Sequence, residues 1–109
     1  MTVGGRGGEG DIVPVVEPEP LRFEWDPAKS ASNKAKHGVD FEEAKAIWRD
    51  PDRAQLMPVS PRSEPRQLIV GLINGKMYTA VITLRNGTTR IISVRRSRRN
   101  EEEKHHAGR

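Results

Sequence analysis

Arg66, Arg85 and Arg90 are spaced so that, on a three-stranded antiparallel sheet, they gather at one end of one face. Like charges held this close repel unless an anion sits among them. Phosphate is the anion that suits a planar guanidinium fork. Arg95, Arg96, Arg98 and Arg99 extend the positive run toward the C-terminus. The competing assignment makes the same arginines ion-pair partners of Glu64, Glu101, Glu102 and Glu103 on a solvated surface. His37 is the only histidine ahead of His105 and His106. It closes an expected helix, where the dipole favours its charged form, and beside Lys36 it can donate a proton or hold a phosphate. The plainer alternative is a helix-ending ring that bonds free carbonyls.

Other chemistries find no residues. There is no cysteine, so there is no thiolate nucleophile, thiolate metal site or disulfide framework. His105 and His106 lack a second cluster at metal-ligand spacing and read as a solvated tail. Gly4-Gly5 and Gly7-Gly8 follow no strand and make no phosphate loop. No Ser/His/Asp arrangement stands out, and Trp25 and Trp48 are expected in the core.

The elements that must position these residues begin at Leu21. Leu21 to Trp25 alternates as a short strand. Asp26-Pro27 reads as N-cap and first helical position, and Gly38 as a left-handed stop. In that helix Ala28, Ala31 and Ala35 form a small apolar stripe expected to pack on a neighbour, while Lys29, Asn33, Lys36 and His37 share an exposed polar face. A second helix starts at a capping box, Asp40 with Glu43, buries Phe41, Ala44, Ile47 and Trp48, and ends at Asp50-Pro51. Ala54 to Val59 reads as a short strand, followed by a loop with Pro58, Pro61 and Pro65.

Asn74-Gly75 and Asn86-Gly87 are both two-residue hairpin signals. They predict a meander of strands 66–73, 76–85 and 88–95. Its uninterrupted register aligns Leu68 with Val81 and Ile92, and Val70 with Thr79 and Val94. Arg66, Thr83 and Arg90 align on that same face, with Arg85 diagonal to Arg90. The opposite face carries Ile69, Tyr78, Ala80, Ile82, Leu84, Ile91, Ser93 and Arg95. Both faces are largely apolar and need cover, one from the two helices and the other from the C-terminal segment or a partner. Ser97 to His106 reads as a polar helix that protrudes. The fold class expected is α+β: two N-terminal helices packed on a small antiparallel sheet, with a C-terminal helix.

At 109 residues and 34% hydrophobic content, the chain supports one small domain. Residues 1–20 hold one base and four acids (net −3) among Gly and Pro and are expected to be a disordered extension; residues 21–109 hold a net +7 and form the domain. A basic domain favours a polyanionic partner. No apolar run approaches a membrane span and no signal-peptide core is present, so no membrane partner is expected. The absence of cysteine fits a reducing cytoplasm.

Taken in order, Phe23-Glu24-Trp25-Asp26, Lys29, Asn33, Lys36-His37-Gly38-Val39 and Phe41-Glu42-Glu43-Ala44 resemble the opening of the BrnT family of toxin–antitoxin ribonucleases. Glu64 and Arg66 are similar to its Glu-x-Arg element. Thr83, Arg85 and Arg90-Ile91-Ile92-Ser93-x-Arg95 resemble its closing strand, and Glu101 its C-terminal helix. The likeness covers about residues 21–106. The resemblance implies a compact fold of the RelE-like group and cofactor-free, metal-independent RNA cleavage that inhibits translation. It implies neutralisation by a BrnA-like antitoxin with a ribbon-helix-helix part, operator DNA being reached only through that antitoxin. Two positions depart from the family pattern: Leu84 stands where an acid is frequent, and His105 where a tyrosine is common.

With the resemblance, Arg66, Arg90 and Arg95 are expected on phosphate, although the uninterrupted register turns Arg95 to the opposite face. Lys36 and His37 are the acid–base candidates, and Glu64 orients Arg66 or acts as base. Lys29, Arg85, Arg96, Arg98 and Arg99 are expected to contact RNA. The alternative is a non-catalytic basic module that binds nucleic acid or protein without turnover.

Overall fold

In the computed structural model, residues 21–57 and 66–107 are described. They form a five-stranded sheet and three helices. The strands are β1 (Phe23–Glu24), β2 (Ala54–Leu56), β3 (Gln67–Ile73), β4 (Lys76–Arg85) and β5 (Thr88–Arg96), in the spatial order β1-β5-β4-β3-β2. The helices are α1 (Pro27–His37), α2 (Phe41–Ala44), which tightens into a 3-10 segment over Lys45–Arg49, and α3 (Arg99–Ala107). β1 pairs parallel with β5, while the other pairings are antiparallel, so the sheet is mixed where an antiparallel one was expected.

The two hairpins form as their Asn-Gly pairs require. Asn74 and Asn86 have φ of 51° and their glycines 80° and 79°, the left-handed pair of a tight two-residue turn. The first hairpin keeps the expected register, from Gln67 opposite Ile82 to Ile73 opposite Lys76. The second does not. Ile82 faces Ile91, but Val81 faces Ser93, so Ile92 is an extra residue in β5, a β-bulge. From Ser93 onward every side chain therefore changes face relative to the uninterrupted ladder. Val94 turns to the core and Arg95 to the other side, opposite Thr79. The packing favours this. A regular ladder would have buried Ser93 and Arg95 among Tyr78, Ala80 and Ile82.

The core lies on the face of Ile69, Ile73, Tyr78, Ala80, Ile82, Ile91 and Val94, covered by Val39, Phe41, Ala44 and Ile47. The capping box at Asp40 and Glu43 is complete. The 3-10 segment presses so closely on β3 that a Cβ at Gly71 would stand 2.9 Å from the Ile47 side chain. Phe23 packs edge-on against Trp48, and Trp25 against Phe41.

α1 docks differently from expectation. Ala28, Ala31 and Ala35 are exposed, and the buried residue is Asn33. Its Nδ2 donates to the Val39 carbonyl at 2.8 Å and its Oδ1 accepts from Val94 N–H at 3.0 Å. The Phe41 N–H donates to Ser30 Oγ. β1 is only two residues long and pairs with Thr89 and Arg90, so the Val94 N–H further along β5 has no strand partner among the described residues. A buried N–H there needs an acceptor, and the Asn33 amide supplies it where alanine cannot. α3 does not protrude. It lies on the sheet face opposite the core through Glu101 and His105, both buried.

Candidate functional site

The face opposite the core gathers the arginines. Thr83 sits across from Arg90, Val81 from Ser93 and Thr79 from Arg95. Arg66 immediately precedes β3, one step beyond the pair of Gln67 with Ile82, which sets it beside Thr83. The bulge thus does what simple alternation forbids: Arg90 and Arg95, five residues apart, share one face. Two same-face steps separate their rows, about 13 Å along the strand. Half-buried Leu68, Val81 and Ser93 form the floor between them.

Each arginine has a different environment. Arg95 is gripped end-on by Glu101: Nη1 to Oε1 and Nη2 to Oε2 are both 2.8 Å. Oε1 also accepts from Thr79 Oγ1 at 2.9 Å and from Arg98 N–H at 2.8 Å. Thr79 is fully buried, and Ser97 Oγ stands 2.8 Å from its hydroxyl; because the single Thr79 proton goes to Glu101, the serine donates. Burial alone would raise the Glu101 pKa. The hydrogen bonds from Arg95, Arg98 N–H and Thr79, with the charge of Arg95, outweigh it and pull the pKa down to about 2. The same hydrogen bond raises Arg95 above its usual value. Among the described residues Arg90 pairs with Glu24, Nη1 to Oε2 at 3.2 Å, with 31% and 41% of the two side chains exposed. A pair this open is worth little. Arg66 Nε is buried with no hydrogen-bond partner among the described residues. A buried guanidinium N–H without an acceptor is costly and marks where an acceptor would be welcome.

The remaining expected residues divide. Lys36 and His37 are exposed at the end of α1 and make no hydrogen bond or ion pair with a described residue. The last turn is closed instead by Gly38, at φ 82°, whose N–H donates to the Lys34 carbonyl, so His37 is not bonding free carbonyls. Lys29 is exposed in the first turn of α1, and Arg85 is exposed at the second hairpin on the arginine face. Arg96 is turned to the other face by the alternation after the bulge: its guanidinium lies 5.5 Å from the Tyr78 ring centre and its Nε donates to the Met77 carbonyl. Arg98 and Arg99 are exposed where the chain enters α3. Glu64 lies outside the described residues.

Sequence reasoning missed two things here. One is the role of Thr79 beneath the Arg95–Glu101 pair, a pair of the kind that the competing assignment expected; a threonine centred in an apolar strand was the available signal. The other is a buried strut, His105 Nε2 to Asp50 Oδ2 at 2.8 Å, with side chains 4% and 6% exposed. Asp50 also accepts from the backbone N–H of Leu72 and of Asp52. Burial opposes its charge, but these bonds prevail and its pKa is lowered. His105 therefore ties α3 to the end of the 3-10 segment. Leu84, the other departure, is about half exposed and lies on the face opposite Thr83 and Arg85. Among the described residues, no group of three or more His, Asp or Glu is placed to hold a metal ion, and no helix is long and apolar enough to cross a membrane.

Compared with known families, residues 25–101, well over half of the chain, match the model of the ribonuclease toxin, BrnT, of type II toxin–antitoxin systems. No curated protein was found to match the chain.

Proposed function

The chain belongs to the BrnT family of ribonuclease toxins of type II toxin–antitoxin systems, and from that premise we propose that it cuts RNA on the arginine face without a metal, by attack of a ribose 2′-hydroxyl on the adjacent phosphate. The 2′-oxygen bonds to phosphorus as the 5′-oxygen departs, leaving a 2′,3′-cyclic phosphate and a 5′-hydroxyl. The observation that carries this reading is the bulge at Ile92, which brings Arg90 and Arg95 onto the face of Arg66. Guanidinium groups aimed at a phosphorane stabilise charge that develops only in the transition state. Arg66, with its unsatisfied Nε, and Arg90, loosely held by Glu24, take the non-bridging oxygens, and Arg95 takes the phosphate beside them.

The base for the 2′-hydroxyl is Glu64, two residues before Arg66, and the acid for the leaving oxygen is His37 with Lys36. Asn33 is tied to Val94, and His37 lies one turn further along α1, about 6 Å on. That carries it toward the Arg95 end of β5, so an RNA strand crossing the sheet meets it at the edge. Lys29, Arg85, Arg98 and Arg99 add backbone contacts. Arg96 has a smaller part, since it stacks on Tyr78 on the far side. In the cell the cut RNA halts translation in the cytoplasm, and a BrnA-like ribbon-helix-helix antitoxin neutralises the toxin and carries the pair to its operator. The fold in this reading is RelE-like.

The test is growth after induced expression, with and without the cognate antitoxin, together with RNA cleavage in excess chelator. Arrest relieved by the antitoxin and cleavage that persists in chelator are expected. Cleavage abolished by chelator overturns the metal-free mechanism. One observation favours a binding-only module: the carboxylates that meet Arg90 and Arg95, those of Glu24 and Glu101, are each already engaged by a guanidinium. RNA that is bound with a steep salt dependence but never cut would establish that reading.

A further inference from the structure

Glu101 is not among the residues assigned to RNA above, yet its carboxylate is heavily bonded beneath the arginine face. Its carboxylate accepts four hydrogen bonds from three residues: two from Arg95, one from Thr79 and one from Arg98 N–H. It is 2% exposed, and its negative charge is fixed by these donors. Anchoring α3 does not by itself account for so much, because α3 has a second pin in the His105–Asp50 contact.

The geometry of the guanidinium supplies a reason. Glu101 holds the end edge of Arg95, the one formed by Nη1 and Nη2. The remaining proton on Nη1 points at the Arg96 carbonyl at 3.3 Å. Left over are Nε–H and the outer proton of Nη2, which together form the side edge of the fork. That edge has no hydrogen-bond partner among the described residues, and 23% of the side chain is exposed. A guanidinium fixed on one edge presents the other in a single orientation, and a second bidentate acceptor such as a phosphate fits it.

We propose that Glu101 is a positioning residue for RNA cleavage: it locks the Nη1/Nη2 edge of Arg95, backed by Thr79, so that the Nε/Nη2 edge faces the phosphate beside the scissile one and holds the RNA strand in register for the cut. This rests on the reading of the arginine face as the RNA-cleaving surface. Glu101 also cancels most of the ground-state attraction of Arg95 for RNA. Its contribution is orientation, which acts on turnover more than on binding.

The test compares wild type, Glu101→Gln, Arg95→Ala and the double variant on a pool of cellular RNA. In Glu101→Gln, kcat falls about 100-fold, while RNA binds as tightly as to wild type or tighter at low salt, because the face loses a negative charge. Arg95→Ala loses cleavage, and added guanidinium ion restores part of it by occupying the Glu101 carboxylate. The double variant is not restored. Glu101→Gln at the wild-type rate beside an inactive Arg95→Ala overturns this proposal and leaves the arginine face standing. So does equal rescue of the single and double variants, or a parallel loss of binding and turnover, as from simple unfolding of α3. Arg66→Ala, Arg90→Ala and Arg95→Ala all cleaving like wild type would overturn the underlying reading instead. If Glu101→Gln does not fold, Thr79→Val removes one donor to Oε1 and leaves both charges: a kcat several-fold lower at unchanged affinity supports the proposal, and a wild-type kcat overturns it.

Discussion

Arg66 differs from its neighbours in having a buried Nε with no hydrogen-bond partner among the described residues, whereas Arg95 and Arg90 each hold a carboxylate. Its directional donors are therefore the ones a substrate phosphate gains most from. Arg66→Ala is expected to lower kcat for RNA about 100- to 1,000-fold with the fold retained. Arg66→Lys keeps the charge but not the fork, so it should recover binding and little of the rate. Steady-state kinetics on both variants, with circular dichroism to confirm folding, checks this; a lysine variant as fast as wild type would mean that charge alone suffices. The buried carboxylates set the acid response. Glu101 is lowered from an ordinary 4.5 to about 2, so its stabilising contribution is complete above pH 4.5 and is lost as pH falls through about 2. Asp50 is shifted in the same direction. The melting temperature should be flat above about pH 5 and decline below it, with a shallower decline in Glu101→Gln. At this scale the sequence showed which residue types cluster, but not which carboxylate meets which arginine. Glu101, Glu102 and Glu103 are equivalent in charge pattern, and only the first faces Thr79 and Arg95. His105, which reads as tail, is fixed by an aspartate 55 positions away.

The elements were legible where local chemistry sets them. Both Asn-Gly turns, the Asp26-Pro27 start, the Gly38 stop and the Asp40/Glu43 box all appear in place. What was not legible depends on tertiary contact. No local signal marks Ile92 as a bulge, because Ile91, Ile92 and Val94 are each good strand residues. The choice is made by the core, which takes Val94 and rejects Ser93 and Arg95. Nor does helical periodicity alone favour Asn33 over the alanine stripe on α1; the edge N–H of Val94 decides it. A deletion tests the bulge directly. Removing Ile92 leaves Ile91, Ser93, Val94 and Arg95 on their present faces, merely closing the ladder, so the variant should fold cooperatively. Removing Val81 from the opposing strand inverts every side chain beyond it and should abolish folding. Thermal melts of the two deletions separate the cases, and an unfolded Ile92 deletion beside a folded Val81 deletion would refute the register.

Across the whole molecule, charge is divided between a −3 segment, residues 1–20, and a +7 remainder. The elements that carry the arginine face all lie after residue 22: β1 begins at Phe23 and the family match at residue 25. Residues 1–20 precede both. Their four acids nevertheless belong to the same polyelectrolyte, and tethered acids compete with RNA phosphate for the arginines at low ionic strength. Removing residues 1–20 should therefore leave the melting temperature nearly unchanged and raise the net charge from +4 to +7. RNA affinity should rise severalfold in low salt, and the two forms should converge as salt increases, since the competing term is screened over about 8 Å at physiological ionic strength. Salt titrations of RNA binding by the full chain and the truncated chain measure this. An affinity difference that survives high salt would mean that the segment acts through a specific contact and not through its charge.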